Sequence, residues 1–278
     1  MTGDDREAPG AAEPPADGVE AEVGDTAWDH LRLFGTCLGL AIGGMVVGIA
    51  VSLVLLVGLF LAGVEPSPTD ELVVSLIAVQ GIAFPGVSYA YFRYKGRSLR
   101  AFVPVSIPSL RDAGVILAAW IGSFVLVTIG ASIVITLTGT EPAQNEGART
   151  VAENPEFVPF LIPLVFLLNA PGEELLFRGV IQGLFRERFG PVAAILLATS
   201  MFAPIHVFAL VGGVQAALVT ITILSIPSIV FGAIYEYTDN FLVPTLVHAL
   251  YNTTLFAALY LSATMDGTAG LLAGLTAA

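Results

Sequence analysis

The stretch NAPGEELLFRG, Asn169 to Gly179, places two adjacent carboxylates and an arginine directly behind the apolar run FVPFLIPLVFLLNA. An ionisable side chain inside such a run is expensive to bury, usually faces a bundle interior or a watery cavity, and is by default a functional hypothesis. Helical spacing separates the two acids. Glu174 and Arg178 are four residues apart, share a face and can form an ion pair that keeps both charged. Glu173 is rotated from Glu174 by about 100° and has no such partner in its own helix. On this reading Glu174 is held and Glu173 is free to act as a general base. Pro171 removes a backbone donor and disfavours helix at Ala170, so local irregularity is expected to admit water or substrate to Glu173. A plainer reading has the three charges merely marking a helix end at the membrane surface. Depth argues against it: GVIQGLF intervenes before Arg186 and Arg188, so Glu173 lies on the order of 20 Å along the helix from Arg186.

The chain has three histidines. His30 lies at the boundary of an acidic tail, where a solvated surface role is expected. His206 falls in MFAPIH, with Phe202 four residues earlier on the same face, and His248 falls in HALYN, with Asn252 four residues later on the same face. Two neutral imidazoles and a carboxylate are a usual ligand set for catalytic zinc, so Glu173, His206 and His248 are the candidate metal ligands. A bound metal would lower the pKa of its water and let hydroxide attack a peptide carbonyl. The single-helix zinc motif H-E-x-x-H is absent, so such a site would be distributed over several helices. A metal-free version is equally readable: Glu173 and His206 activate the water, while His248 and Asn252 stabilise the oxyanion. A single cysteine, Cys37, excludes a disulfide framework and a cysteine-rich metal site.

The elements that must position these groups are membrane spans. The 278 residues are 55% hydrophobic and only 12% charged, far more apolar than a soluble domain of this length. A bilayer-crossing helix needs about 20 mainly apolar residues. Seven stretches qualify, near 35–63, 72–92, 113–138, 157–177, 192–211, 216–235 and 241–261. The predicted fold class is therefore all-α: a polytopic transmembrane bundle of about seven spans. Residues 1–30, rich in Ala, Gly, Pro and acid, are predicted to be a disordered acidic tail, and 31–278 a single integral membrane domain. Arg93, Lys95, Arg97, Arg100 and Arg111 between the second and third spans, with Arg186 and Arg188 between the fourth and fifth, put the amino terminus inside and the carboxyl terminus outside the cell membrane. One conflict arises. Glu173 and His206 lie about 13 to 15 residues from the predicted inner ends of their helices and His248 only about seven, a gap near 10 Å at helical rise. A tilted or broken helix must close it if the groups share a site.

Other marked residues receive structural readings. Gly43, Gly44 and Gly48 are expected to permit close helix packing. Trp28 reads as an interfacial anchor and Trp120 as a packing residue. Tyr91, Phe92 and Tyr94 read as a boundary belt, and Glu236 and Asp239 as part of a wet inner loop. Pro204, two residues before His206, is expected to kink that helix and alter the aim of the imidazole.

Taken in order, EELLFRG, FAPIH and HALYN resemble the E-E-x-x-x-R, F-x-x-x-H and H-x-x-x-N motifs of the CPBP intramembrane metalloproteases, which include type II CAAX prenyl endopeptidases and bacteriocin-processing or immunity proteins. The resemblance covers 157–261 and matches at every motif position. It implies a membrane endopeptidase with Glu173 as base, Glu174 and Arg178 supporting it, and His206, His248 and Asn252 completing the site. It also implies a divalent metal, zinc by its donor set, and a membrane-associated peptide or protein substrate, CAAX-type prenylated chains among them. The competing reading is a catalytically silent membrane binding, immunity or scaffold protein. A transporter ranks third, because no inverted repeat is visible. The acidic balance suggests no nucleic-acid partner.

Overall fold

The computed structural model describes residues 26–264, so the tail expected over 1–30 lies almost wholly outside the described residues. Among the described residues, seven helices are long and apolar enough to cross a bilayer: Ala27–Leu61, Pro68–Tyr94, Leu110–Thr138, Pro155–Arg186, Pro191–Ala209, Val214–Thr238 and Leu242–Thr264. The chain is a multi-pass membrane protein with the expected helical architecture.

Helix starts are written locally. Thr26, Ser67 and Ser109 each accept from the backbone N–H three residues on, and Asp29, Asp70 and Asp112 return a bond to the cap. The first of these boxes starts the first span at Ala27, so Trp28 and His30 belong to the helix rather than to the tail. His30 accordingly packs its ring 5.0 Å from that of Phe189, not in open solvent.

The packing is inverted relative to a soluble protein, because lipid accepts large apolar side chains and only close approach of backbones rewards burial. The first span buries Cys37, Ala41, Gly44 and Gly48 and exposes Ile42, Val46 and Leu53. A Cβ on Gly44 would stand 2.9 Å from the Phe84 ring, and one on Gly48 would stand 2.8 Å from Val79 Cγ2. Gly43 departs from the packing expectation: a Cβ added there would meet nothing within 4 Å. Phe92 likewise leaves the expected boundary belt for the core, at 1% exposure, whereas Tyr94 stays on the surface. Trp120 is a packing residue, edge-on to Phe124, with its indole N–H donating to Thr254 Oγ1 at 3.1 Å.

Loop contacts tie each end of the bundle together. Arg97 pairs with Glu187 and Arg111 donates to Tyr237, so the loops after the second, fourth and sixth spans meet at one end. At the other end, β1 (Gln144–Asn145) pairs antiparallel with β2 (Leu210–Val211), joining the loops after the third and fifth spans. Seven alternating crossings follow from these contacts.

The fourth span is the most enclosed of the seven. Leu176 and Phe177 enter one core with the first, second and fifth spans, while Val165 and Ala170 enter another with the seventh. The third, sixth and seventh spans build a further core around Phe231, Val247 and Tyr251. The fourth span opens with a 3-10 turn at Pro155–Phe157 and carries two π-helical stretches, Val165–Asn169 and Leu175–Gln182, on either side of Pro171. The second span carries another over Leu76–Ala83. The irregularity expected at Pro171 is thus real but displaced into π-turns, which are frequent at functional sites.

Candidate active site

The junction of these cores is polar. Glu173, Glu174, Arg178 and His248 are all buried there, none more than 6% exposed. Glu174 and Arg178 form the ion pair that their spacing requires, with Nη1 3.0 Å from Oε1. The same Glu174 oxygen accepts from His248 Nδ1 at 2.8 Å. That bond fixes the hydrogen on Nδ1 and leaves Nε2 facing Glu173 Oε2 at 3.7 Å.

Arg178 is held from three other directions. Its Nη2 donates to the Ser228 carbonyl at 3.1 Å and to Ser228 Oγ at 3.0 Å, and Ser228 in turn donates to Thr199 Oγ1. Its guanidinium lies 4.4 Å from the centre of Phe202 and 5.5 Å from that of Phe231, an aromatic clamp suited to a weakly hydrated cation. Phe231 also stacks on the His248 ring at 4.8 Å, so one aromatic orients both groups.

This support runs along the helix. Gln182 donates to the Gly232 carbonyl and to Glu236, and Arg186 pairs with Glu236. The contacts of Arg178 with Ser228, Gln182 with Gly232 and Arg186 with Glu236 each join residues fifty apart, the signature of two parallel helices locked in register at four-residue steps. Glu236 is therefore a partner within the sixth helix, not a wet-loop residue.

Glu173 is less free than its helix alone suggests. Its Oε1 accepts from Asn169 Nδ2 at 2.9 Å and from Gln80 Nε2 at 3.2 Å, and Asn252 Nδ2 donates to Asn169 Oδ1 at 2.8 Å. Four of the five other residues singled out with Glu173, namely Glu174, Arg178, His248 and Asn252, are thus joined with it in one polar cluster. His206 is set apart. The helix carrying it turns to 3-10 geometry at His206, just past Pro204, and His206 Nδ1 bonds to the Phe202 carbonyl at 3.1 Å. The Phe202 ring stands 4.8 Å from His206 and 6.3 Å from His248, edge-on to each. Among the described residues no three His, Cys, Asp or Glu side chains are gathered as metal ligands. The expected trio of Glu173, His206 and His248 is therefore assembled only in its Glu173 and His248 members.

The depth conflict closes at the other end of the seventh helix. Asn240 exchanges two hydrogen bonds with the Ser106 backbone, and the Phe241 N–H donates to the Pro104 carbonyl. Val103, beside them, is packed so tightly against Gly179 that a Cβ there would meet it at 3.1 Å. This loop dips into the bundle and starts the seventh helix deep, which raises His248 to the level of Glu173. The same loop helps to line a cavity of about 850 Å³, with Tyr89, Arg93, Arg100, Val103, Leu175 and Phe241 in its wall.

Gly172 makes the meeting of the second and fourth spans possible: a Cβ would lie 2.1 Å from the Gln80 carbonyl oxygen and 2.9 Å from its Cα. Backbone cannot yield as a flexible side chain can. Gly172→Ala is expected to destabilise the protein by about 1–3 kcal/mol through overpacking and to part Gln80 from Glu173. Thermal unfolding in detergent checks this; an unchanged midpoint would mean the two backbones separate freely.

Sequence reading missed Gln80, Asn169 and Ser228. Asn169 was open to discovery, since it sits four residues before Glu173. Gln80 had a weaker signal, a lone amide inside LIAVQGIAF. Ser228 had none, because a serine in a span ordinarily bonds its own helix.

Residues 155–254 match the family described as Type II CAAX prenyl endopeptidase Rce1-like. No curated protein and no solved structure matches the chain. The matched segment runs from the start of the fourth span to Thr254 and contains Glu173, Glu174, Arg178, His206, His248 and Asn252. Over these residues the chain is similar to the Rce1-like type II CAAX prenyl endopeptidase (CPBP) family, a likeness that suggests a protease.

Proposed function

From this likeness we propose that the protein is an intramembrane endopeptidase, with 157–261 as its catalytic core and Glu173 as the base that activates water. The observation that carries the reading is the division of labour around His248. Glu174, neutralised by Arg178, takes Nδ1, so Nε2 is presented to Glu173 Oε2 across 3.7 Å. In the reaction, water gives a proton to Glu173 as its oxygen bonds to the peptide carbonyl carbon. The proton passes to the leaving amine as the C–N bond breaks. Asn252 Nδ2 commits one hydrogen to Asn169 and keeps a second for the developing oxyanion.

The resemblance implies a divalent metal, which Glu173, His206 and His248 would hold. Nδ1 of each imidazole is engaged, by Glu174 and by the Phe202 carbonyl, which leaves Nε2 as the ligating nitrogen in both. His206 is not gathered with the other two, so every step above uses the protein's own groups.

The substrate is a membrane-associated peptide or protein, with prenylated carboxyl-terminal peptides as the class the family name suggests. The cavity favours entry at the basic end: Leu175, the residue after Glu174, lines it together with Arg93, Arg97 and Arg100. By the distribution of arginine and lysine this end faces the cell interior, with the protein in the cell membrane.

The test is cleavage of a panel of lipidated and unlipidated membrane peptides by the detergent-purified protein, read by mass spectrometry. Wild type should cut at one bond and His248→Ala should not, and chelation followed by zinc should report any metal requirement. Folded wild type that cuts nothing across the panel would favour the silent binding protein.

A further inference from the structure

Gln80 reaches Glu173 from outside the matched segment, and the two ends of its amide are used unequally. Nε2 donates to Glu173 Oε1 at 3.2 Å, while Gln80 Oε1 is buried and accepts no hydrogen bond from the described residues. A buried carbonyl oxygen left in this way costs about 1–3 kcal/mol unless something else donates to it. Two features hold the amide there despite that cost. Gly172 lets the Gln80 backbone approach closer than any side chain would allow, and the π-helical stretch Leu76–Ala83 carries the residue.

The carboxylate it touches is divided in the same sense. Glu173 Oε1 accepts from both Asn169 and Gln80, whereas Oε2 is turned toward His248 Nε2 at 3.7 Å, beyond hydrogen-bonding distance. One oxygen is anchored and the other is open to take a proton.

Building on the endopeptidase reading above, we infer that Gln80 is a positioning residue for the hydrolytic water: its Nε2 aims Glu173, and its Oε1 accepts the water hydrogen that Glu173 does not take. The water has two hydrogens. One is transferred to Glu173 Oε2 as the oxygen bonds to the peptide carbonyl carbon, and the other stays on the new carboxyl group after the C–N bond breaks and the amine receives the proton from Glu173. Holding the second hydrogen orients the attacking lone pair without consuming any further reagent.

Steady-state cleavage of a peptide cut by wild type, with Gln80→Leu, Gln80→Met and Glu173→Gln compared in the same detergent, tests this. Gln80→Leu should lower kcat about 10- to 100-fold, as loss of a supporting shell does, with KM changed by no more than about twofold. Its thermal midpoint should stay near wild type, a combination that a packing role would not give. Gln80→Met preserves the side-chain length and answers the same question if the leucine variant does not accumulate folded. Wild-type kcat in either folded variant would overturn the inference, and so would failure of both to fold, which would assign Gln80 to packing. If wild type itself cleaves nothing, the endopeptidase reading falls and this one with it. If wild type cleaves and Glu173→Gln does not, a fully active Gln80→Leu removes this inference alone.

Discussion

Glu173→Gln is expected to reduce peptide cleavage by about 10²- to 10⁴-fold, the usual contribution of a positioned base, while the protein stays folded. Glutamine matches glutamate in shape, and its oxygen can still accept from Asn169 and Gln80 where Glu173 Oε1 now does. What it loses is the ability to take a proton at the atom facing His248. Because Glu173 is only 6% exposed, bulk water offers no ready substitute. Cleavage rate and thermal unfolding measured on the same preparation check the two halves of this expectation. Activity within about tenfold of wild type would remove Glu173 as the base, whatever the fate of the fold.

Arg178→Met should act chiefly on stability, lowering it by about 3–5 kcal/mol, because it strands the Glu174 carboxylate in a site closed to bulk solvent. Glu174 is fully buried, and Arg178 provides its ion pair. The same change removes the bonds to Ser228 that hold the fourth and sixth helices in register. The double variant Glu174→Gln with Arg178→Met removes both charges together and should recover much of the lost stability, since a well-packed neutral pair replaces a buried ionic one at little cost. Its cleavage should remain poor, because a glutamine at 174 no longer offers His248 Nδ1 a charged acceptor. Denaturant unfolding of the single and double variants forms the cycle. Additive losses would show that Glu174 and Arg178 do not depend on one another.

Much of the architecture was legible in the residue order. The seven spans follow from runs of apolar residues that nothing but a bilayer would tolerate, and three of the helix starts follow from Ser or Thr with Asp three residues on. The pairing of Glu174 with Arg178 is a property of one helix, fixed by a four-residue step, and the structure contains it. The partners of Glu173, by contrast, are not all local: Asn169 is one turn away, but Gln80 is in another helix.

Single-helix periodicity determines which way a side chain points and whether its near neighbours can satisfy it. For this protein it therefore determined the spans, the buried charges and the helices that bear the histidines. How the helices slide past one another was decided only by tertiary packing. The loop at Ser106 and Asn240 starts the seventh helix deep and lifts His248 to Glu173. The bare face of Gly172 admits Gln80, and the Phe202 ring packs edge-on against both His206 and His248. These contacts join residues remote in the chain, and close packing between helices, which no period within one helix encodes, selects among them.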